Sequence, residues 1–419
     1  MTAAICGIDF GTSNSTIGVI RDGQPQLLPL EGDELTLPSA LFFNFEENQT
    51  CFGRSAIEDY IEGEYGRFMR SLKSILGSSL MLKSTQIKHR QLNYQQIIGE
   101  FIGEMKQRAE AQLEAPLKQV VAGRPVHFVD DDKHADDSAQ NTLEAIYHEA
   151  GFKDVEFQFE PIAAALNYEQ QLQQEALALI VDIGGGTSDF TIIRLSPDNR
   201  NKSYRIDDIL ATGGVHIGGN DFDRRLNLAK AMPALGMNSH MKGASRLKLP
   251  SAPYFNLATW HLIHHQYDPK NIHQMEQFRL HCEQPQLIDR LVRLLKNQDG
   301  HRLIGKIEAC KIRLADQMET ELDLNFVEQA LALTCQRSEF DQATQAEVNG
   351  ISETIKTSLK NAQLKPEQIN SVFLTGGTTG LPSVHNAVKM IFNDCGIVEG
   401  DRFGSVGLGL TVDAHRRFR

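Results

Sequence analysis

A length of 419 residues is enough for two or more packed lobes, and 41% hydrophobic residues supply an ordinary core, which excludes a disordered chain. A formal net charge of −12 argues against a non-specific hold on nucleic acid or an anionic membrane, since either needs basic patches. With no signal-peptide pattern, no apolar run of membrane-spanning length and 6 cysteines scattered without a CxxC pair, the sequence reads as cytoplasmic, with reduced thiols and no membrane partner.

The first element is a β-hairpin. An apolar run around Ile5 leads to Asp9, then to Gly11, Thr12, Ser13, Asn14 and Ser15, then to a second apolar run ending at Ile20. Asp22 and Gly23 mark a turn, and further strands are expected over 26–30 and 37–45, the second opened by Pro38. A helix starts after Gly53. Lys73 stands in an apolar setting between Leu72 and Gly77, and the default for such a lysine is a solvated one. Ile97, Ile98, Phe101, Ile102 and Met105 fall at helical spacing and predict an amphipathic helix over 92–115, stopped by Pro116. A strand follows over 119–128. The cluster Asp130, Asp131, Asp132, Asp136 and Asp137 lacks the spacing and closing glutamate of a calcium loop, so it reads as a solvated acidic loop capping a helix over 141–150. A strand over 155–159 leads through Glu160 and Pro161 into a helix over 162–171.

Ile180 to Ile193 then repeats the opening pattern. A strand runs into Asp182, followed by Gly184, Gly185, Gly186, Thr187, Ser188 and Asp189, then a second apolar run. The matched order of strand, aspartate, glycine and hydroxyl makes the two segments halves of an internal repeat. Glycine lets a ligand come close to the backbone, and successive N–H groups in such turns form nests for phosphate. An aspartate at the strand end offers a carboxylate to magnesium, directly or through water. A strand is expected over 204–210, then a helix opened by Gly218, Gly219 and Asp221. The stretch 230–300 is irregular, polar and histidine-rich. His261, His264, His265, His273 and His281 lack an HExxH pattern, and a surface or packing role is preferred to zinc. Helices over 302–314, 344–363, 384–392 and 404–412, strands over 322–324, 330–334 and 372–374, and a basic tail to Arg419 complete the chain. After the last strand comes a third glycine turn, with Gly376, Gly377, Thr378 and Thr379. Three such turns, two with a preceding aspartate, point to two related lobes around one polyphosphate; ordinary hairpins of an α/β protein are the alternative.

Both hairpins, Glu160 to Ala165 (EPIAAA), His216 to Asp223 (HIGGNDFD), Glu308 to Lys311 (EACK) and the Gly376 turn occur in order over residues 5–414. Together they resemble the ATPase domain of the seventy-kilodalton heat-shock chaperones, the DnaK family of the actin and sugar-kinase superfamily, with the short YegD-type branch the nearest fit. The resemblance implies an α/β fold of the duplicated actin-like, ribonuclease H-like kind, two lobes with a nucleotide cleft between them. Lobe I would cover 1–175 and lobe II 176–402, with a helical insertion near 225–320, and a helix over 403–419 would return towards lobe I. The implied ligands are ATP or ADP and Mg2+, with Asp9 and Asp182 as the metal pair. Lys73 would support charge at the transferring phosphate, and Glu160 would position metal and attacking water; Asp182 and Thr187 complete the implied catalytic set. Gly11, Thr12, Ser13 and Asn14 would contact phosphates from one lobe, and Gly184, Gly185 and Gly186 from the other, supported by Asp189. Gly218, Gly219, Glu308, Lys311, Ile312, Gly376, Gly377 and Thr378 would complete the nucleotide site, Glu308 and Lys311 beside ribose and base. The implied activity is slow magnesium-dependent hydrolysis coupled to lobe closure, achieved by positioning and charge neutralisation. A co-chaperone or client is the implied protein partner, and a monomer is expected.

Two departures from the family pattern stand out. Ile312 and Gly380 occupy positions where the family has arginines that sandwich adenine, and Ala315 replaces a base-contacting serine, so stacking is lost and affinity or base selectivity should drop. The chain also stops at Arg419, ahead of the linker and β-rich peptide-binding domain of full-length chaperones, so a complete chaperone cycle is not expected of it. These departures favour one alternative, a non-hydrolysing nucleotide-sensing interaction protein. A small-metabolite kinase ranks last, because no carboxylate base is evident for a substrate hydroxyl.

Overall fold

The computed structural model describes residues 4–129, 132–243, 247–392, 395–399 and 404–418; Asp130, Asp131 and Arg419 lie outside them, as do the side chains of His261 and His264. Two sheets carry the repeat. The first runs Gln24–Leu27, Asn14–Arg21, Ala4–Phe10, Leu117–Arg124, Asp154–Phe159, with Leu37–Pro38 also paired to Asn14–Arg21. The second runs Ile209–Val215, Ser188–Leu195, Ala176–Ile183, Ser371–Thr375, Gly396–Glu399. In each sheet the aspartate-bearing strand is central. It is antiparallel to the strand its glycine turn returns, and parallel to the strand on its other side. Parallel neighbours need a crossover, supplied in the first sheet by helices Tyr94–Leu113 and Lys133–Glu149. The sequence repeat is therefore a repeat of topology.

Two compact units are distinguished: Met1–His216 with Glu353–Thr379 and Val388–Arg419, and Ile217–Ser352 with Gly380–Ala387. Both sheets lie in the first, and the chain passes to the second after His216. Within this unit, Ile162, Ala165 and Leu166 of helix Glu160–Glu169 pack on Ala178, Ile180, Ile193 and Leu195 of the second sheet. Ala163 of the same helix packs with Val121 of the first sheet and with Val406, Leu410 and Ala414 of helix Ser405–Phe418. The two helices meet backbone to backbone, since a Cβ at Gly409 would lie 1.9 Å from the Ala163 carbonyl oxygen. Helix Ser405–Phe418 in turn rests on the first sheet through Gly7, whose Cβ would lie 2.3 Å from the Thr411 nitrogen. Ile8, Phe10, Phe101, Ile102 and Tyr147 fill the opposite face of that sheet.

Several expected elements are corrected. The histidine-rich stretch is largely helical, with helices Ala252–Leu257, Pro269–His281 and Pro285–Lys296. A proline sits in the first turn of each, where its missing N–H costs nothing. Ile288, Leu291, Val292, Leu294 and Leu295 form the buried stripe of the last. The strand expected over 204–210 begins only at Ile209. Before it, buried Arg205 pairs with Glu169 at 2.7 Å and with Asp208, and these ion pairs curl 206–208 into a 3-10 turn. Helix Lys133–Glu149 starts earlier than expected because the Asp132 side chain accepts from the Ala135 N–H at 3.0 Å. Asp136 is not solvated: it is buried and paired with Arg124 at 2.7 Å, and the Arg124 and Phe128 hydrogen bonds overcome burial to hold its carboxyl below the usual range. No helix is long and apolar enough to cross a membrane among the described residues.

Candidate functional site

Asp9 and Asp182 occupy the same place in the two sheets, one residue before the end of the central strand. Asp9 stands opposite Thr16, and Asp182 stands opposite Asp189 on one side and Thr375 on the other. Burial pushes the Asp9 carboxyl up to about 7, with Glu160 adding to the rise and Lys73 opposing it. Burial likewise pushes Asp182 up to about 7, followed by the charges of Asp189, Glu160 and Asp9, again opposed by Lys73. These mutual fields put Asp9, Asp182, Glu160 and Lys73 in one neighbourhood of the first unit.

Lys73 is not a solvated lysine. It sits in the 3-10 turn Leu72–Ile75, only 9% exposed, with its ammonium on Glu160. Burial alone would lower its pKa, but Glu160, Asp9 and Asp182 outweigh that and keep it protonated. Glu160 begins its helix directly after strand Asp154–Phe159, and Gly123 leaves room for it: a Cβ there would lie 3.1 Å from the Glu160 Cγ. Around Lys73, the carboxyls of Asp9, Asp182 and Glu160 outnumber the opposing ammonium among the described residues. Such an excess of carboxylate oxygen on half-buried side chains fits a hard divalent cation. Among the described residues no three His, Cys, Asp or Glu side chains are grouped to hold a metal. Magnesium is commonly held through one or two carboxylates, with water and phosphate oxygens completing its octahedron.

The three glycine turns use glycine for different reasons. At Gly11 a Cβ would lie 2.1 Å from the Asn14 carbonyl oxygen, so the turn itself requires glycine. Gly376 has φ +82, and a Cβ there would lie 2.3 Å from the Ile183 carbonyl oxygen and 2.8 Å from Asp182 Oδ1. At Gly184 the nearest atom would be 3.8 Å away, and at Gly186 nothing lies within 4 Å. Neither has positive φ. The Gly184 N–H donates to the Thr187 carbonyl at 3.0 Å, and the exposed Thr187 hydroxyl donates to Asp189 Oδ2 at 3.1 Å. Thr378 is buried and donates to the Gly184 carbonyl at 3.2 Å.

The residues expected beside ribose and base lie in the second unit. Gly218 caps and Gly219 opens helix Gly219–Ala234, with the Gly218 N–H donating to Asp221 at 3.0 Å. On helix Gly300–Asp316, Glu308 is exposed and Ile312 is 59% exposed. Lys311 points inward instead and forms a buried ion pair with Asp223 at 2.8 Å. In this structure Lys311 is thus held by Asp223 on the neighbouring helix. Asp223 was legible only as part of a motif, because its partner is set by how the two helices pack.

The model of the family described as Hsp70 protein matches residues 5–231 and 282–409. The chain belongs to the Hsp70 family. Among curated relatives it is 26% identical over 402 residues to chaperone protein DnaK of Mycoplasma mycoides subsp. mycoides SC. It is also 26% identical over 406 residues to chaperone protein DnaK of Thermosipho melanesiensis. Each alignment covers 93% of this chain and 55% of the relative, so the chain spans about half the length of those chaperones. The internal stretch of this Hsp70-family chain left unmatched, 232–281, holds helices Ala252–Leu257 and Pro269–His281, two of the three proline-started helices that the sequence pattern hid.

Proposed function

We propose that this chain binds ATP and ADP with magnesium and hydrolyses ATP slowly, with hydrolysis coupled to lobe closure in a two-lobe, actin-like arrangement. The observation that carries the reading is the matched placement of Asp9 and Asp182 at the ends of two like-built strands, each before a glycine turn, with the Lys73–Glu160 pair beside them. Magnesium, held by these two carboxylates directly or through water, supplies positive charge against the phosphate oxygens when bound. Lys73, kept protonated by its acidic neighbours, adds charge on the phosphoryl group being transferred. Glu160, anchored by Lys73 at a helix start, orients the attacking water as a hydrogen-bond acceptor. Gly184 and Gly186, where the chain makes no steric demand, leave space for phosphate to approach the backbone, and Thr187 is held at the same turn by Asp189. A YegD-type chaperone relationship, a client or co-chaperone, a monomeric state and a cytoplasmic setting belong to the same proposal. The Asp223 pairing occupies the Lys311 ammonium, Glu308 is exposed, and an exposed Ile312 offers an adenine only an aliphatic surface.

A thermal-shift panel of ATP, ADP, GTP and AMP with and without magnesium tests this. Stabilisation by di- and triphosphates that requires magnesium, with little base preference, is expected. No shift with any nucleotide overturns the reading. Stabilisation without phosphate release supports the nucleotide-sensing alternative.

A further inference from the structure

Two buried hydroxyls stand behind the two phosphate turns in corresponding places. Ser39, 3% exposed, donates from Oγ to the Gly11 carbonyl at 2.6 Å. Thr378, 5% exposed, donates from Oγ1 to the Gly184 carbonyl at 3.2 Å. Gly11 and Gly184 are equivalent positions, each two residues after the aspartate of its strand. The two hydroxyls come from unrelated parts of the sequence. One follows the short strand Leu37–Pro38; the other lies in the turn after strand Ser371–Thr375. No motif links them, so the correspondence appears only in the fold.

Ser39 makes two further bonds to the same turn. Its N–H donates to the Ser13 carbonyl at 2.8 Å. Since its single hydroxyl proton is given to Gly11, the Ser15 hydroxyl, 2.9 Å away, donates to Ser39 Oγ. The segment is fixed from outside by Arg54, which donates to the Thr36 carbonyl at 2.7 Å while paired with Glu31.

In a planar trans peptide the C=O and the next N–H point in opposite directions. Pinning the Gly11 carbonyl towards Ser39 therefore turns the Thr12 N–H away from it, and pinning the Gly184 carbonyl towards Thr378 turns the Gly185 N–H away likewise. Neither N–H donates to a backbone carbonyl among the described residues. We infer that Ser39 and Thr378 are a matched pair of positioning residues, each holding one peptide of a turn so that its N–H faces a nucleotide phosphate. This rests on the nucleotide reading above and deepens it. It also moves Thr378 from a nucleotide contact to a brace behind the turn.

The test is calorimetric titration of Mg·ATP into the wild type, Ser39→Ala, Thr378→Val, Thr378→Ser and the Ser39→Ala/Thr378→Val double variant, with ligand-free melting of each. Thr378→Val keeps the shape and loses the donor; Thr378→Ser keeps the donor. About tenfold weaker binding is expected for Ser39→Ala and for Thr378→Val, about a hundredfold for the double variant, and Thr378→Ser within about twofold of wild type. If Ser39→Ala does not fold, the two Thr378 variants decide on their own. Wild-type affinity in both Thr378→Val and the double variant overturns the inference alone. Loss that is equal in Thr378→Val and Thr378→Ser, and that tracks melting temperature, marks a structural role and overturns it too. A wild type that takes up no Mg·ATP overturns the nucleotide reading and the inference with it.

Discussion

The two aspartate hairpins share strand order and register, yet they are finished differently. The Gly11 turn is closed by the chain's own contacts: its glycine is forced by the Asn14 carbonyl, its carbonyls are stitched to Ser39, and Asp9 lies in the field of Lys73 and Glu160. In the other turn, a Cβ at Gly184 or Gly186 would meet nothing closer than 3.8 Å among the described residues, and Asp182 stands opposite another carboxylate, Asp189. A repeated sequence therefore repeats the place of the carboxylate, while each turn is shaped by what surrounds it. Gly11 is thus required by the fold itself, whereas the space at Gly184 and Gly186 is left open.

The largest expected effect breaks the charge side of this comparison. Lys73→Ala removes the ammonium that opposes Asp9 and Asp182 together, and phosphate release from ATP should fall by about 10²–10³-fold. Thr187→Ala, on the other turn, should cost less. Equal release rates in all three proteins would remove the claim of hydrolysis.

Next comes the dependence on pH. In the ligand-free folded chain the Asp9 and Asp182 carboxyls titrate near 7, well above their unfolded values. Between roughly pH 4 and 7 the folded state thus binds more protons than the unfolded state, and this contribution to stability is lost as pH rises through that window. Asp182→Asn removes one such carboxylate. It should raise the ligand-free melting temperature at pH 8 by roughly 2–4 °C while weakening magnesium-dependent nucleotide binding. A melting temperature that drops at pH 8 would contradict the buried-charge account.

A last pair of variants, whose second member carries the smallest effect on melting, separates the two turns directly. Gly11→Ala drives a Cβ into backbone and should lower the melting temperature by several degrees, on the order of 1–2 kcal/mol of stability. Gly186→Ala meets open space and should leave melting within about 1 °C, yet weaken Mg·ATP binding. Equal melting losses in both variants would erase the distinction drawn between them.

The hairpins, both aspartates and the Tyr94–Leu113 helix were legible because each is a local pattern: alternation into a glycine turn, or apolar residues at helical spacing. Lys73 was ambiguous in sequence because its partner, Glu160, lies 87 residues away. The pairing of Lys311 with Asp223 was not legible, because it depends on two helices meeting. Helices Pro269–His281 and Pro285–Lys296 were missed because proline reads as a breaker, although at a first turn it starts a helix. Ser39 gave no signal at all, since one small hydroxyl after a proline looks like any strand edge.

The measurement that bears most directly on the central claim is ATP binding by calorimetry, with magnesium and with magnesium chelated, in wild type and in Asp9→Asn. The account predicts that chelation weakens wild-type binding at least about tenfold, and that Asp9→Asn loses most of that magnesium dependence. Wild-type ATP affinity that is the same with and without magnesium would contradict it.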